Sequence, residues 1–270
     1  MYLDVVCWNV KGVPVRLRDR QLVLLDELDP DVLLLQELTP PSFAMLQERG
    51  WSGVPALQLL PTGHRGRAKG KPVKFSCAVL TRGRWQLSGV DTDLTVPSPE
   101  RWLTARLERD GTVVDAGSFA CPPGVGWGEM KTEQGRRIAE WMADRSGPAI
   151  VGVDRNGPKF ERSDGSVQLW PRDAPQLLGS DPAHRYHDVL LAMHNREPSR
   201  RERSAAQRPD GPLEVSYVRG HSGQQQTACR YDVVYASEHF TIDDVRYLYD
   251  ESIAAGSDHA AVAVRLTLTT

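Results

Sequence analysis

The stretch AIVGVDRN, residues 149–156, decides the fold of this chain. Its first five residues, Ala149–Val153, are apolar, follow Gly147-Pro148 and end abruptly at three polar residues. A short apolar run with such limits indicates a fully buried strand, and ligands of open α/β sheets bind at the carboxyl ends of strands. Because side chains alternate along an extended chain, Asp154 and Asn156 are predicted to point to the same side. Asp and Asn are also ordinary turn residues, so a functional interpretation needs support from the rest of the chain.

The composition is that of an ordinary globular protein. The 270 residues are 40% hydrophobic and 25% charged, with a net charge of −2. No run approaches the roughly 20 apolar residues of a membrane span, and the start lacks the basic segment and cleavable apolar core of a secretory signal. The four cysteines are scattered and form no CxxC pair, which favours buried free thiols over a disulfide or zinc framework. We therefore expect a cytoplasmic protein without membrane partners.

No change in composition divides the chain, so residues 1–270 are predicted to form a single domain. Apolar runs predict strands at Leu3–Val10, Asp31–Gln36, Phe75–Thr81, Trp85–Val90, Trp102–Glu108, Thr112–Ser118, Ala149–Val153, Arg230–Ala236, Phe240–Leu248 and Ala260–Leu268. Helices are predicted from Pro14 through Leu28, from Pro40 through Glu48, and over Met130–Arg145 and His187–His194. This order is not a strict alternation of strand and helix, and it suits two mixed β-sheets packed face to face with helices outside.

Two stretches are locally basic. His64–Lys74 carries five cations and no acid, and Lys69 and Lys71 lie within it. Arg196–Arg208 is mostly Arg with two Glu, and the segment from Arg196 to Pro212 is predicted to be a polar, mobile loop. Such runs can neutralise nucleic-acid phosphates, although a charge run is more often a solvated surface. We expect at least one of the two stretches to contact phosphate.

Polar residues of catalytic type recur at the limits of the predicted strands. They are Asn9, Glu37, Asp154 with Asn156, Asp232, and Asp258 with His259. One polar strand end means little, but five in a chain of this length are difficult to assign to chance turns. His184 and His194 are interpreted as surface residues, and His187-Asp188 as a helix start, so these three histidines are left outside the site.

The ordered set of motifs resembles the endonuclease/exonuclease/phosphatase superfamily of metal-dependent phosphoesterases. The motifs are Trp8-Asn9, Gln36-Glu37, Gly152–Asn156, Arg230–Asp232 and Ser257–His259, in the family's order and over nearly the whole chain. The resemblance implies an α/β fold that is a four-layer αββα sandwich of two mixed β-sheets flanked by helices. It also places the site at one edge of the paired sheets.

The resemblance implies Mg²⁺ or Mn²⁺ as the cofactor and in-line attack of water on a phosphate ester. The implied metal ligands are Glu37, Asn9 and, at a second site, Asp258. Hard oxygen ligands of this kind select Mg²⁺, which usually takes only one or two carboxylates. A bound metal can polarise a phosphoryl oxygen and supply a nucleophile at neutral pH.

The other motif residues receive catalytic roles from the same resemblance. Asp154 would orient or deprotonate the attacking water, and Asn156 would hold a phosphate oxygen. His259, paired with Asp232, would contact the phosphate and stabilise its developing charge. A carboxylate beside a histidine favours the cationic form of the ring, and charge stabilisation is often the largest catalytic term.

Three positions depart from the family's usual pattern. Many members carry His or Tyr in the strand before a Pro-containing loop, and the closest register places Ala120 of SFACPPG, residues 118–124, there. Abasic-site endonucleases typically have an acidic residue at the place of Lys11, which argues against that activity. Arg155 inside the Asp-x-Asn motif is also unusual and is interpreted as a bidentate donor to a substrate phosphate.

The leading prediction is a Mg²⁺-dependent nuclease that cuts DNA or RNA, with Arg155, Lys69 and Lys71 as substrate contacts. A phosphatase or phosphodiesterase acting on a small-molecule or lipid phosphate ester would use the same chemistry, and the near-neutral net charge favours it. A binding protein on a retired catalytic scaffold is the third alternative, suggested by Ala120. The sequence leaves open the choice between DNA and RNA, endo- or exonucleolytic action, one or two metals, and the oligomeric state.

Overall fold

Two six-stranded β-sheets face each other in a computed structural model of the chain, which describes residues 1–11, 18–64, 73–123, 126–179, 181–220 and 226–269. The strands are β1 (Tyr2–Asn9), β2 (Val32–Leu38), β3 (Ser52–Pro55), β4 (Ser76–Thr81), β5 (Gln86–Asp91), β6 (Trp102–Arg109), β7 (Thr112–Ala120), β8 (Ala149–Asp154), β9 (Phe160–Glu161), β10 (Val167–Gln168), β11 (His187–Asp188), β12 (Tyr217–Arg219), β13 (Thr227–Cys229), β14 (Asp232–Ala236), β15 (Phe240–Leu248) and β16 (Ala261–Leu268). The α-helices are α1 (Asp19–Leu28), α2 (Pro40–Glu48), α3 (Glu129–Ala143), α4 (Pro175–Leu178), α5 (Val189–Arg196), α6 (Pro198–Gln207) and α7 (Tyr249–Ala255).

Both sheets are mixed. Sheet one has the strand order β15-β16-β1-β2-β4-β3, and sheet two has the order β11-β14-β8-β7-β6-β5. The pairs β1–β2 and β7–β8 are parallel, while the other neighbours are antiparallel. A parallel pair requires a crossover connection, usually helical, and α1 and α3 lie on these two connections. The carboxyl ends of β1 and β2 therefore lie at the same edge of sheet one, and those of β7 and β8 lie at the same edge of sheet two.

Alternation along the strands builds the layer between the sheets. Cys7 and Leu34 of sheet one share a buried apolar cluster with Ile150 and Val234 of sheet two. A Cβ at Gly152 would lie 2.7 Å from Cys7 Sγ, so the glycine lets the two sheets approach closely at this point. The rim of this layer, beyond the last apolar residues, is where the polar strand ends lie.

Helices cover the outer face of each sheet. Leu25 of α1 and Leu46 of α2 pack on the outer side of sheet one with Leu33. Ile138 of α3 packs on the outer side of sheet two with Val151. The predicted four-layer αββα sandwich of two mixed sheets is confirmed.

Local sequence explains the start of α2, which is confirmed at the predicted bounds. Pro40 occupies the first turn, where its missing N–H costs nothing, and Thr39 Oγ1 accepts a hydrogen bond from Ser42 N at 3.3 Å. α5 begins in a similar way, because the Asp188 carboxylate accepts from the N–H groups of Leu190 and Leu191. Asp188 is thus the N-cap of α5, and the helix predicted over His187–His194 begins at Val189, because His187 and Asp188 form the short strand β11.

Several predicted elements differ from the structure. The segment predicted as a mobile loop contains α6, whose Arg200 and Arg208 donate to backbone carbonyl groups of Val245 and Leu213. The first helix begins at Asp19, and the predicted start at Pro14 lies outside the described residues. The short elements β3, α7, β12 and β13 carry no clear periodicity and were not predicted. His194 is 1% exposed and His184 is 8% exposed, so both are buried and not surface residues.

All four cysteines lie among the described residues, and each is buried and unbridged, as predicted from their spacing. In the described part of the chain, no helix combines the length and the apolar character needed to cross a membrane.

Candidate active site

Register brings two carboxylates together at the rim of sheet two. Asp232 of β14 is the direct partner of Asp154 in β8, and Asp154 is also the partner of Ala120 in β7. Ile150 and Val234 have the same parity and face sheet one, so Asp154 and Asp232 face the same way at the edge of that layer. Both carboxylates are buried, at 1% and 0% exposure.

The Asp154 carboxylate is held by two amides. Oδ2 accepts hydrogen bonds from Asn9 Nδ2 and from Asn156 Nδ2, each at 3.0 Å, and Oδ1 accepts from the backbone N–H of Asn156 at 3.0 Å. The other amide hydrogen of Asn156 goes to Cys121 O at 2.9 Å. Since both amide hydrogens of Asn156 are committed, the predicted donation to a phosphate oxygen would require one of these bonds to break. As placed, Asn156 orients Asp154.

His259 forms the second polar pair of the site. Its Nδ1 lies 2.8 Å from Asp232 Oδ2, which makes the predicted pairing of the two side chains a feature of the structure. Trp8 Nε1 donates to His259 O at 2.9 Å, and Ser257 Oγ donates to Asn9 O at 2.8 Å while accepting from His259 N at 3.1 Å. Trp8 and Ser257 therefore fix the end of β1 and the segment before β16 relative to each other.

Glu37 reaches the rim through an irregularity in β2. By alternation it would share the outer face with Leu35, but the pairing with β4 shifts register between Leu35 and Leu38, and Glu37 has a φ of 55°. Such a bulge redirects a side chain. The strand was predicted to stop at Gln36, whereas it continues to Leu38 around the redirected carboxylate.

Arg101 lies beside Glu37 and was not found by sequence reasoning. It belongs to a short 3₁₀ turn, Pro99–Arg101, and it is 6% exposed with Nε unpaired among the described residues. Its guanidinium lies 5.3 Å from the ring centre of Phe75 and 5.6 Å from that of Trp127. A lone Arg before a strand has no periodicity or spacing that distinguishes it, so only the fold reveals its place.

The charges of the site act on one another. Burial raises the pKa of Glu37, the Arg101 cation opposes that rise, and Asp154 adds to it. Burial also raises the pKa of Asp154, while the His259 cation opposes the rise. Burial alone would lower the pKa of His259, but the Asp232 and Asp154 carboxylates outweigh it and raise the pKa to about 10. His259 is therefore cationic at neutral pH, and Glu37 and Asp154 hold protons more readily than ordinary carboxyl groups.

The donor set fits a hard divalent cation. Carboxylate oxygens of Asp154 and Asp232 lie within 4.8 Å of each other and of a ring nitrogen of the cationic His259, and Asp232 Oδ1 is buried without a hydrogen-bond partner in the described structure. Glu37 adds a further half-buried carboxylate in electrostatic range of Asp154. Carboxylate and amide oxygens are the ligands that Mg²⁺ prefers, and a cation here would compensate the buried negative charge.

Asp258 and Lys11 face each other at the open side of the rim. Lys11 Nζ lies 2.7 Å from Asp258 Oδ2, and both side chains are about two-fifths exposed, at 41% and 38%. The Lys11 backbone N–H donates to Asn9 Oδ1 at 3.0 Å. Asp258, predicted as a ligand of a second metal, is thus paired with an ammonium group.

Arg155 is not brought to the site. It follows Asp154 by one residue and so points to the outer face of sheet two, where NH1 donates to Tyr235 Oη at 3.2 Å and NH2 donates to Arg230 O at 2.8 Å. It is only 4% exposed. The prediction that Arg155 contacts a substrate phosphate is therefore wrong for this arrangement, because its guanidinium is buried on the other side of the sheet. Lys69 and Lys71 lie outside the described residues.

Arg230 does not pair with Asp232, although the two residues are close in sequence. Its guanidinium contacts Glu161 Oε1 at 2.9 Å and Asp188 Oδ2 at 2.8 Å. Asp232 instead pairs with His259. The start of β14 is fixed by Ser216, whose buried Oγ accepts from the backbone N–H groups of Tyr231 and Asp232.

Tyr217 forms an aromatic wall beside His259 and was not predicted. The two residues form a backbone bridge, and their rings lie 4.8 Å apart at 34°. On its other side Tyr217 stacks on Tyr231 at 5.4 Å and 19°. This wall and the Phe75–Arg101–Trp127 group present aromatic rings beside the polar rim.

Comparison with solved structures identifies the fold. No protein-family profile matches the sequence, and no curated protein sequence matches it. TDP2 from D. rerio, in complex with a single-strand DNA product, is 18% identical with a TM-score of 0.64, over 98% of this chain and 99% of that one. An endonuclease/exonuclease/phosphatase from Bacteroides vulgatus is 14% identical with a TM-score of 0.63, over 99% of both chains. ANGEL2, a 2′,3′-cyclic phosphatase, is 13% identical with a TM-score of 0.61, over 98% of this chain and 95% of that one.

Proposed function

We propose that this chain, which has the endonuclease/exonuclease/phosphatase fold, is a phosphoesterase that hydrolyses phosphodiester bonds of nucleic acid with a divalent cation, Mg²⁺ or Mn²⁺. The observation that carries the proposal is the convergence at one rim of Glu37, an amide-held Asp154 and the Asp232–His259 pair. These groups come from four strand ends separated by up to 222 positions in sequence (37 to 259). A purely structural polar cluster would not need a carboxylate redirected by a bulge.

Asp154 is the general base of the proposed reaction. Burial raises the pKa of its carboxyl, and a base is most effective when its pKa lies near the working pH. The amides of Asn9 and Asn156 hold the carboxylate in one orientation. Asp154 can therefore take a proton from a water molecule that attacks phosphorus.

His259 supplies positive charge to the phosphate. The Asp232 carboxylate keeps the ring cationic at neutral pH and fixes its orientation through Nδ1. A fixed cation facing developing negative charge needs no reorganisation during the reaction. Arg101 offers a second cation, beside Glu37.

The carboxylate of Glu37 and the side-chain oxygen Oδ1 of Asn9 would hold the divalent cation. When bound, such a cation polarises a phosphoryl oxygen and lowers the pKa of water. Asp258 is omitted from this set, because Lys11 already neutralises it. The proposal therefore needs one cation.

A small or short phosphate ester is the second candidate, and the use of the basic residues favours it. Arg155, Arg200 and Arg208 donate to carbonyl groups or tyrosine within the fold and do not build a basic surface. The solved structure of ANGEL2, described as a 2′,3′-cyclic phosphatase, has the same fold. The described residues thus support recognition over a few nucleotides more than binding along a long duplex.

The test is an activity panel with and without Mg²⁺ on single-stranded DNA, double-stranded DNA, RNA and small phosphate esters. We expect Mg²⁺-dependent cleavage of at least one nucleic acid, and Glu37→Gln should abolish it while the melting temperature is retained. Glu133→Gln is the matched control, since Glu133 lies partly exposed on α3 and pairs with Arg136. Full activity of Glu37→Gln would disprove the assignment, and cleavage of small esters alone would favour the second candidate.

A further inference from the structure

Trp170 is an exposed aromatic residue in the segment that follows β10, and it is 37% exposed. The guanidinium of Arg219 lies 5.1 Å from the centre of its ring, and Lys159 Nζ lies 5.2 Å from the same ring. Arg219 NH1 also donates to Lys159 O at 3.3 Å. These contacts join three separate segments into one surface feature, which we call the Lys159–Trp170–Arg219 strip.

The strip is continuous with the proposed catalytic rim. Arg219 and Tyr217 are two positions apart in β12, so their side chains share one face and lie about 7 Å apart along the strand. The Tyr217 ring lies 4.8 Å from the ring of His259, the proposed phosphate contact. At the other end of the strip, Lys159 follows Asn156 by three residues. A chain bound at His259 can therefore continue along the strip.

The two cations of the strip have no carboxylate partner in the described part of the chain. In this they differ from Arg155 and Arg230, which both contact the Glu161 carboxylate and are buried. Lys159 and Arg219 are partly exposed and are held against the Trp170 ring. A cation–π contact at an exposed site is weak, so both groups can move from the ring to a phosphate.

An exposed indole between two available cations matches the chemistry of a single nucleic-acid strand. Each nucleotide of such a strand has a flat base with phosphates on both sides. Proteins that bind single strands combine basic groups along the backbone with aromatic side chains on which the bases stack. The bases of a duplex are already stacked on one another and cannot reach the face of an indole. The strip therefore favours an unpaired strand over a duplex.

We propose that the Lys159–Trp170–Arg219 strip binds an unpaired nucleotide of a single-stranded nucleic acid that extends from the catalytic rim. Trp170 stacks on the base, and Lys159 and Arg219 contact the phosphates on its two sides. This inference rests on the proposed function, because it takes the bound strand to be the substrate of the rim. It adds the form of that substrate, a single strand, and the path that the strand follows outside the cleavage site.

Fluorescence anisotropy tests the strip, with labelled oligothymidylate and oligouridylate of about ten nucleotides in EDTA, so that no strand is cleaved. We expect at least one of them to bind the full chain, and Trp170→Ala to weaken that binding about tenfold, the usual loss for one stacked base. Trp170→Phe should recover part of the loss, because it keeps an aromatic ring. Tyr2→Ala is the matched control and should leave binding unchanged, since Tyr2 is 64% exposed at the start of β1, opposite the rim.

Two further measurements separate stacking from charge. An abasic form of the bound oligonucleotide should bind the unmodified chain about tenfold more weakly, and Trp170→Ala should not weaken its binding further. Lys159→Gln should reduce the slope of log Kd against log salt by about 0.7, the value for one phosphate of a single strand. A duplex of the same length should bind more weakly than the single strand, and Trp170→Ala should not change its affinity.

Failure of both oligonucleotides to bind, equal binding of the abasic form, a duplex that binds as tightly, or unchanged affinity in Trp170→Ala would overturn the proposal. Failure of the proposed function is a different result, because the Mg²⁺-dependent activity panel decides it. Cleavage together with unchanged affinity in Trp170→Ala would refute the strip alone. Binding that is lost in Trp170→Ala, without cleavage of any substrate by the unmodified chain, would refute the hydrolysis alone. The abasic comparison on the unmodified chain remains decisive if Trp170→Ala does not fold.

Discussion

Asp154 and Asp232 are direct cross-strand partners in β8 and β14, and the ring of His259 compensates this pair of buried carboxylates through its 2.8 Å contact with Asp232. Like charges on neighbouring strands destabilise a sheet unless a cation lies between them. The elevated pKa of His259, about 10, is the direct consequence. We therefore predict that Asp232→Asn will lower the pKa of His259, because the largest contribution that opposes the effect of burial is then lost. Nitrogen-detected NMR titration of the ring measures this, and a value that stays near 10 would contradict it.

The same pair predicts the direction in which stability changes at alkaline pH. The folded-state pKa of His259 lies above the unfolded value of about 6.5. Its stabilising contribution is thus complete below pH ~6.5 and is lost as the pH rises through about 10. Urea unfolding at intervals from neutral pH to pH 10 should show a falling free energy of unfolding, with a smaller fall in His259→Gln. Equal pH dependence in the two proteins would remove His259 from this role.

A buried ion pair behind the site is predicted to position the Asp154–Asn156 segment. Lys131 and Asp173 form a salt bridge with side chains that are 2% and 0% exposed, and Lys131 Nζ also donates to Asn156 O at 2.7 Å. Removing one partner of a buried pair costs about 3–5 kcal/mol, so Lys131→Met should be strongly destabilising. The double variant Lys131→Met/Asp173→Leu should recover part of that loss, as measured by urea unfolding.

Measurement of kcat distinguishes a positioning role of the Lys131–Asp173 pair from a role in stability alone. If Lys131 fixes the Asn156 carbonyl, the double variant should lower kcat about tenfold in the folded enzyme while KM changes little, since a small misplacement of a catalytic group is costly. Unchanged kcat in the double variant would mean that the pair serves stability alone.

The architecture could be predicted because it depends on patterns that a single sequence displays. Apolar runs such as Ala149–Val153 and Asp31–Gln36 fixed the central strands, and the ordered polar strand ends pointed to one rim. The position of Glu37 could not be derived in this way, because strict alternation assigns it to the outer face and only the bulge redirects it. Arg101 and Tyr217 have no local signal, since their value comes from what the fold places beside them.

Arg155 shows the opposite error. A basic residue between Asp154 and Asn156 suggested a substrate contact by proximity in sequence, yet one residue along a strand is the other face of the sheet. In the basic stretch 196–208, the guanidinium groups of Arg200 and Arg208 likewise donate to carbonyl groups of the fold. A sequence shows how many charged residues a segment has, whereas only the folded structure shows which of them already bind groups within the protein.

Arg155→Gln is therefore predicted to affect stability and not substrate binding. The substitution removes a buried cation that faces Tyr235, Glu161 and the Arg230 carbonyl, and the free energy of unfolding should fall by about 3 kcal/mol. At temperatures where the variant is folded, kcat/KM and its dependence on salt should equal those of the unmodified enzyme. A reduced salt slope without loss of stability would instead support a phosphate contact.

Arg101 is predicted to supply a second cation to the site beside Glu37. Its guanidinium opposes the rise of the Glu37 pKa, so it favours the ionised form of Glu37, and we expect it also to donate to a phosphate oxygen. Arg101→Gln should lower kcat on the order of 10²-fold, the usual cost of one donor to developing charge. It should also raise the pKa of Glu37 further and move the acid limb of the pH–rate profile to higher pH. Arg101→Lys keeps the charge without the planar fork, so it should restore the acid limb while recovering only part of kcat. If both variants shift the limb equally, Arg101 acts on Glu37 through something other than its charge.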